Sequence, residues 1–108
     1  MATWINCTPH EITVRLEDGS FRSFAPSGIV PRVSTDSVLM GSVDGMEFRN
    51  MQYGAVEGLP PMVDGTFIIV SAMVKDRTNR PDIVAPDTGK TAIRNERGQI
   101  SAVTGFIS

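Results

Sequence analysis

Apolar and polar residues alternate at the period of a β-strand along much of this chain, and a helical stretch is confined to one short segment. Ile12, Val14 and Leu16 alternate with Thr13 and Arg15, the pattern of a strand with one buried face. Asp18-Gly19 supplies a tight turn, and Ser20 to Ala25 reads as the returning strand of a hairpin. Phe21 and Phe24 lie three apart there, which breaks the alternation and predicts a bulge. Pro26-Ser27-Gly28 ends this strand. Ile29, Val30 and Val33 suggest another short strand, placed at a sheet edge because Pro31 lacks a ladder donor.

A second hairpin is expected from Ser37–Val43 and Met46–Arg49 around the turn Asp44-Gly45. The stretch from Gly54 to Gly65 holds three glycines and Pro60-Pro61 and reads as a surface loop. Thr66-Phe67-Ile68-Ile69-Val70 is a continuous apolar run of strand length, as in a central strand buried on both faces. Ser71 can cap a short helix reaching Arg77, and Arg80-Pro81 stops it. Ile83-Val84 reads as a brief strand, Ala85-Pro86-Asp87-Thr88-Gly89 as a turn or loop, and Gln99–Ile107 as a final strand. No repeat or heptad appears, so residues 1–108 are expected to form one domain. Its class is mainly β (a β-rich α+β arrangement): a small antiparallel sheet or barrel-like sandwich with one short helix near residues 71–77.

The chain has 108 residues, 41% apolar and 20% charged, which fits one ordinary globular core. A net charge of −2, with basic and acidic residues interspersed, creates no field to hold duplex nucleic acid. The single cysteine, Cys7, cannot form an internal disulfide, and with one histidine it cannot assemble a usual zinc site. No metal and no cofactor are expected. A reducing compartment fits best, and with neither a secretory start nor a membrane-length apolar run, a cytoplasmic location away from the membrane is expected.

Gly89-Lys90-Thr91 matches the end of a phosphate-binding P-loop, but Val84 stands where the motif needs its first glycine, and Pro86 stiffens the loop. Nucleotide hydrolysis is therefore not predicted. Two readings of this loop remain: backbone amides and the Thr88 hydroxyl presented to an anion or sugar, or an Asx turn in which Asp87 satisfies its own backbone. His10 could act as an acid, a base or a hydrogen-bonding clamp. A Cys7–His10 nucleophile pair is disfavoured because an extended Pro9 points the two side chains apart and no third residue orients them. A structural turn, with Asn6 and Thr8 bonded to the backbone, explains the same residues. Arg77, Arg80, Arg94 and Arg97 could pair with phosphates, although Asp76, Asp82, Asp87 and Glu96 interleave with them. Six methionines suit an adaptable apolar surface, a core or a subunit interface.

Taken together, several segments resemble a family of small, uncharacterised phage and prophage proteins, nearly end to end. They are Asn6-Cys7-Thr8-Pro9-His10 before a Val-containing strand, Pro26-Ser27-Gly28, Ile69-Val70-Ser71-Ala72, Ala85-Pro86-Asp87-Thr88-Gly89, Ala92-Ile93-Arg94 and Gly98-Gln99-Ile100 with Ala102-Val103. The family carries proline where Lys90 stands, so this chain adds a charge beside the Asp87 loop. Such a resemblance implies a counter-defence protein in the cytoplasm of an infected or lysogenic bacterial host. The expectation is a non-enzymatic homo-oligomer that sequesters a small anionic nucleotide-like signal of the cyclic oligonucleotide or cyclic ADP-ribose type. Its expected contacts are Asn6, Thr8, His10, Ser71, Asp87, Thr88, Gly89, Lys90 and Arg94. Ser71 would cap a helix whose amides face phosphate, Thr88 and the Gly89 amide would hold ribose or phosphate oxygens, and Arg94 would neutralise charge. Asn6 and His10 would read the base or a second ribose. The alternatives are occlusion of a protein through an exposed sheet edge and the methionine-rich surface, or a minor virion role.

Overall fold

The apolar run Thr66–Val70 becomes the centre of the molecule. In a computed structural model describing residues 2–108, the strands are β1 (Thr3–Asn6), β2 (Ile12–Arg15), β3 (Phe21–Phe24), β4 (Arg32–Val43), β5 (Met46–Glu57), β6 (Thr66–Ile69), β7 (Ile83–Pro86), β8 (Ile93–Arg94), β9 (Ile100–Ala102) and β10 (Phe106–Ile107), with one helix, α1 (Ala72–Asp76), between β6 and β7. The fold is mainly β, as the pattern predicts, with 49% of residues in strands. Strand β6 pairs on both sides, in a four-stranded sheet of order β1-β6-β7-β10. Ile5 faces Ile68, and Ile68 faces Ile83, both in parallel register, whereas β10 runs antiparallel to β7. The three remaining sheets are two-stranded antiparallel pairs. The expected antiparallel pairing thus holds for these ribbons and not for the centre, where β6 reaches β7 through α1.

Alternation along these strands makes two apolar layers. On one face Cys7, Ile68, Val70 and Ile83 pack with Val74 of α1, and Ile5, Val33, Val56 and Leu59 close around them. On the other face Trp4 stacks on its register partner Phe67 at 4.9 Å and on Phe106 at 5.3 Å, while Phe24 meets Phe106 edge-on at 6.3 Å. Each such aromatic pair adds about 0.5–1.5 kcal/mol beyond area burial. Arg22 covers the outer side of Phe24 at 4.7 Å. Strand β1 was not evident from the sequence pattern, because only Trp4 and Ile5 are apolar and their burial depends on β6 alongside.

The β2–β3 hairpin keeps an unbroken register from Ile12↔Phe24 to Arg15↔Phe21, so the expected bulge between the phenylalanines is absent. Being three apart, the two rings point to opposite faces: Phe24 joins the aromatic layer and Phe21 is 62% exposed. The irregularity lies in the turn instead, where Gly19 takes φ +88° and donates to the Leu16 carbonyl at 3.0 Å, while Leu16 N–H reaches Ser20 O at 2.7 Å. A parallel bridge of Val14 with Val103 ties this hairpin to the chain after β9. The expected final strand is divided into β9 and β10 around Thr104-Gly105.

Strands β4 and β5, 12 residues each, form the largest departure from expectation. Pro31 precedes β4 rather than interrupting a strand, and Gly54 lies inside β5 rather than opening a loop. Gly54 sits beside a bulge between Val33 and Thr35, where any Cβ would collide with the Ser34 hydroxyl. The loop is thereby shortened to the segment between β5 and β6. Twelve residues span about 40 Å, and this arm gives the molecule its elongated extents of 56 × 39 × 21 Å.

Candidate functional site

Three of the segments expected to carry contacts leave the sheet side by side. The loop Cys7–His10 follows β1, Ser71 follows β6 and the Asp87 loop follows β7. Because Asn6 pairs with Ile69 and Ile69 with Val84, all three lie at the carboxyl ends of adjacent parallel strands. Parallel sheets commonly bind ligands at that end.

The first segment is nevertheless occupied with its own architecture. Asn6 is buried, and its amide nitrogen donates to the carbonyls of His10 at 2.8 Å and Phe24 at 2.9 Å. Its oxygen accepts from Thr8 N–H at 3.0 Å and lies 2.6 Å from the Thr8 hydroxyl. Every bonding position of the amide is filled. Thr8 is also buried, with its hydroxyl 2.9 Å from the His10 carbonyl. Asn6 and Thr8 therefore build a turn that ties the end of β1 to β3, and neither presents a polar atom to a ligand. His10 is exposed on the outside of that turn. Cys7 points into the core, where burial pushes its thiol pKa up and the Ser27 hydroxyl at 3.9 Å offsets only part of the effect. A thiol so shifted carries less of the nucleophilic thiolate, and it makes no pair with the exposed His10.

The Ser71 hydroxyl accepts from Val74 N–H at 3.4 Å, and α1 has five residues. This is a local cap, in a helix too short to present a row of free amides to phosphate. In the third segment, the Asp87 carboxylate accepts from Gly89 N–H at 3.0 Å and from the Thr91 hydroxyl at 3.4 Å. The Asx-turn reading describes this geometry, and the Gly89 amide is already committed to Asp87. Thr88 and Lys90 are exposed. Thr88 lines an open groove of about 200 Å³ with the hydroxyl residues Thr13 and Ser101 over a floor of Ile12, Pro86 and Ile100. Ligand pockets commonly measure about 300–1,000 Å³, so the groove does not enclose a nucleotide within one chain. Arg94 lies apart, in a different groove with Arg97 and Glu96, and donates to the Gly98 carbonyl at 2.8 Å.

Two of the remaining arginines are structural. Arg80 grips Asp82 through Nε at 3.1 Å and Nη2 at 2.7 Å, and its Nη1 holds the Pro60 carbonyl at 2.8 Å. Asp82 is buried, and the hydrogen bonds from Arg80 hold its carboxyl below the usual aspartate range despite the opposing effect of burial. Arg77 lies 4.3 Å above the Tyr53 ring and fixes the base of the arm against the end of α1.

The most conspicuous surface is the second hairpin, which the sequence predicts in a shorter form and whose exposed methionines it offers only as an alternative contact surface. Register places Asp36, Val38, Gly41, Val43, Met46, Phe48, Asn50 and Gln52 on one face of the arm, and Thr35, Ser37, Leu39, Ser42, Glu47, Arg49, Met51 and Tyr53 on the other. The distal half of the first face is almost wholly apolar, with Phe48 54% and Met46 62% exposed. Met40 sits in a bulge at its margin and is 67% exposed. The second face carries the Arg49–Glu47 ion pair at 2.8 Å among Leu39, Met51 and Tyr53. Met40, Met46, Met51, Met62 and Met73 are all exposed, so none of them supplies the core. The clue available in the sequence was the matched length of β-compatible residues on either side of Asp44-Gly45.

No protein-family model, curated protein or solved structure matches the chain. Among the described residues, no three His, Cys, Asp or Glu side chains gather as a metal site, and no helix is long and apolar enough to cross a membrane.

Replacing Asn6 by Ala is expected to lower stability by about 1–3 kcal/mol, because the carbonyls of His10 and Phe24 lose their donor and the buried Thr8 amide loses its acceptor; urea unfolding measures this, and a change below about 0.5 kcal/mol would remove the structural role assigned to the turn. The Arg80–Asp82 pair adds a pH dependence. A carboxyl with a depressed folded-state pKa contributes its full stability above the unfolded value, about 3.9, and loses it as pH falls through the folded value. Wild-type protein should therefore lose stability more steeply below about pH 4 than Asp82→Asn, and parallel curves in a pH series of melts would contradict the ion pair.

Proposed function

We propose that this chain is a non-enzymatic binding protein that acts by direct protein–protein contact, with the β4–β5 arm as its contact surface. One observation carries the reading: a hairpin of two 12-residue strands leaves the domain with Val38, Val43, Met46 and Phe48 exposed on one face and no layer of the described residues over them. Contiguous exposed apolar surface of this kind marks interaction sites. The core thiol and the self-bonded Asn6–Thr8 turn supply no reacting group, which is in keeping with binding alone. A phage or prophage setting, and with it occlusion of a host defence protein, rests on the sequence resemblance.

The test is affinity capture from phage-infected bacteria, with the wild-type chain compared against Met46→Asp and against Thr88→Ala. Proteins held by wild type and by Thr88→Ala should fall at least tenfold on Met46→Asp. Equal capture by all three would take the function away from the arm.

The loops that carry His10, Ser71 and Thr88 follow the adjacent parallel strands β1, β6 and β7, and Thr88, alone of these three, lines a groove with Glu11, Thr13 and Ser101; the shared sheet end favours a second reading, sequestration of a small anionic nucleotide-like ligand in that groove. The small volume means that a neighbouring subunit would have to complete such a site. Cyclic oligonucleotides and cyclic ADP-ribose isomers at 100 times the dissociation constant would stabilise the fold by about 2.7 kcal/mol, which raises the melting temperature by about 10 °C or more in a domain of this size. Lys90→Ala should abolish that shift. A flat response to the whole panel at millimolar concentration would dismiss this reading.

A further inference from the structure

Met40, Met46, Met51, Met62 and Met73 are 49–67% exposed, whereas methionine is usually among the buried residues of a domain. Two of them belong to the apolar zone of the arm. Met46 lies on the face of Phe48, next to the turn, and Met40 stands in the bulge at the margin of that face. A thioether and the isobutyl group of leucine make apolar surface of similar size, but only the thioether has a sulfur that accepts an oxygen atom. We propose that Met40 and Met46 are sites of reversible oxidation by peroxide, and that their sulfoxides turn the apolar face of the arm polar while the domain stays folded. This rests on the arm being the contact surface and adds a chemical control to it.

The thioether lone pair attacks one oxygen of hydrogen peroxide, the O–O bond breaks and a sulfur–oxygen bond forms. The other oxygen takes the proton of the first and leaves as water. Sulfur loses two electrons and peroxide gains them. In the reverse direction a methionine sulfoxide reductase with a dithiol supplies two electrons and two protons, restores the thioether and releases water. The sulfur that ordinarily competes for peroxide is withdrawn: Cys7 belongs to the buried core cluster, and burial pushes its thiol pKa up, so little reactive thiolate is present.

Burial decides whether an oxidised methionine is a lesion or a switch. A sulfoxide formed in a core sets a polar group among apolar ones and destabilises the fold. The core cluster contains no methionine, and the arm joins it through Val33 and Val56 at its base. Oxygen added to Met40 or Met46 therefore stays in water, several rungs from that base, and the free chain carries it without loss of packing. A partner shaped for an apolar face has no donor at that point, so contact would bury the new oxygen unpaired. Val38, Val43 and Phe48 on the same face take no oxygen, which leaves the control to the two thioethers.

Treatment of the full chain with hydrogen peroxide, followed by peptide mass spectrometry, thermal melting and retention on a phenyl matrix, tests this. One oxygen atom should appear on Met40 and on Met46 as fast as on a free methionine peptide, with Cys7 unmodified and the melting temperature unmoved. Retention should fall on oxidation and recover after treatment with a methionine sulfoxide reductase and dithiothreitol. The ratio of treated to untreated retention should return to unity in Met40→Leu/Met46→Leu, and it should keep its wild-type value in Met62→Leu/Met73→Leu, which removes two thioethers outside the arm. Met40 and Met46 that react far more slowly than the free peptide, a fold lost on oxidation, or an equal fall in retention for wild type and Met40→Leu/Met46→Leu would each overturn the proposal. Capture of proteins from phage-infected bacteria should fall about tenfold or more on oxidation, the effect of burying one unpartnered polar group, and recover on reduction. Capture that depends on the arm yet ignores oxidation overturns the switch and leaves the contact surface standing. Equal capture by untreated wild type and Met46→Asp removes the contact surface, whereas the retention ratios still decide whether oxidation polarises the arm.

Discussion

Burial of β6 on both faces, with both of its edges paired, governs the arrangement of everything else. Ile68, Ile69 and Val70 have no exposed surface, so the strand requires an apolar layer on each side. One layer comes from α1 with the base of the arm, the other from the aromatic rings of β1, β3, β6 and β10. Since β1 and β7 both run parallel to β6, the chain must make a long crossover to enter the strand and another to leave it. The second crossover is α1. The first contains the short β2–β3 hairpin and the long β4–β5 hairpin, and the arm is thus an insertion in a crossover connection, anchored at its base through Val33 and Val56 and by Arg77 on Tyr53.

How much of this was legible follows from where burial comes from. The run Phe67–Val70 announces a central strand because its hydrophobicity exceeds what one buried face needs, and the first hairpin shows a clean alternation from Ile12 to Leu16. The short helix is marked by Ser71 and by Pro81 beyond its end. Strand β1 carries no comparable signal, since four residues with two apolar positions become a strand only through pairing with β6. The arm was underestimated for the opposite reason. A ribbon exposed on both faces shows no single buried face to alternate against, and Gly54, which suggests a loop, is tolerated at a bulge where the Ser34 hydroxyl fills the space of its missing side chain.

The candidate site was harder to read because the residues that suit ligand binding also suit turns. Asn6, Thr8, Asp87 and Ser71 each have short polar side chains that reach backbone groups two or three residues away, and the fold uses them in that way. Arg80 is paired with a buried aspartate and a loop carbonyl, so its charge is also committed. Thr88 and Lys90 remain exposed near the strand ends. Residue type and spacing predict which groups can bond; only the register of β1, β6 and β7 decides which loops share an end of the sheet.

An exposed apolar ribbon conflicts with the physics that orders the rest of the chain, and the conflict bears on function. A two-stranded ribbon alone in water is marginally stable, and among the described residues α1 is the one other element with appreciable contact to this one. The chain nevertheless fixes its shape locally: Asp44 and Gly45 adopt φ of +53° and +79°, the backbone of a hairpin turn that matches strand twist, and Gly41 supports a bulge that only glycine accommodates easily. These features restrict the free arm to one backbone shape, which lowers the conformational entropy that any binding event would cost it. They stabilise nothing in the core, where the fold is already closed by α1 and the aromatic layer. Local order combined with uncovered apolar surface is what a preorganised contact element requires, and its base is held by Arg77 on Tyr53 at the point where the ribbon leaves the domain.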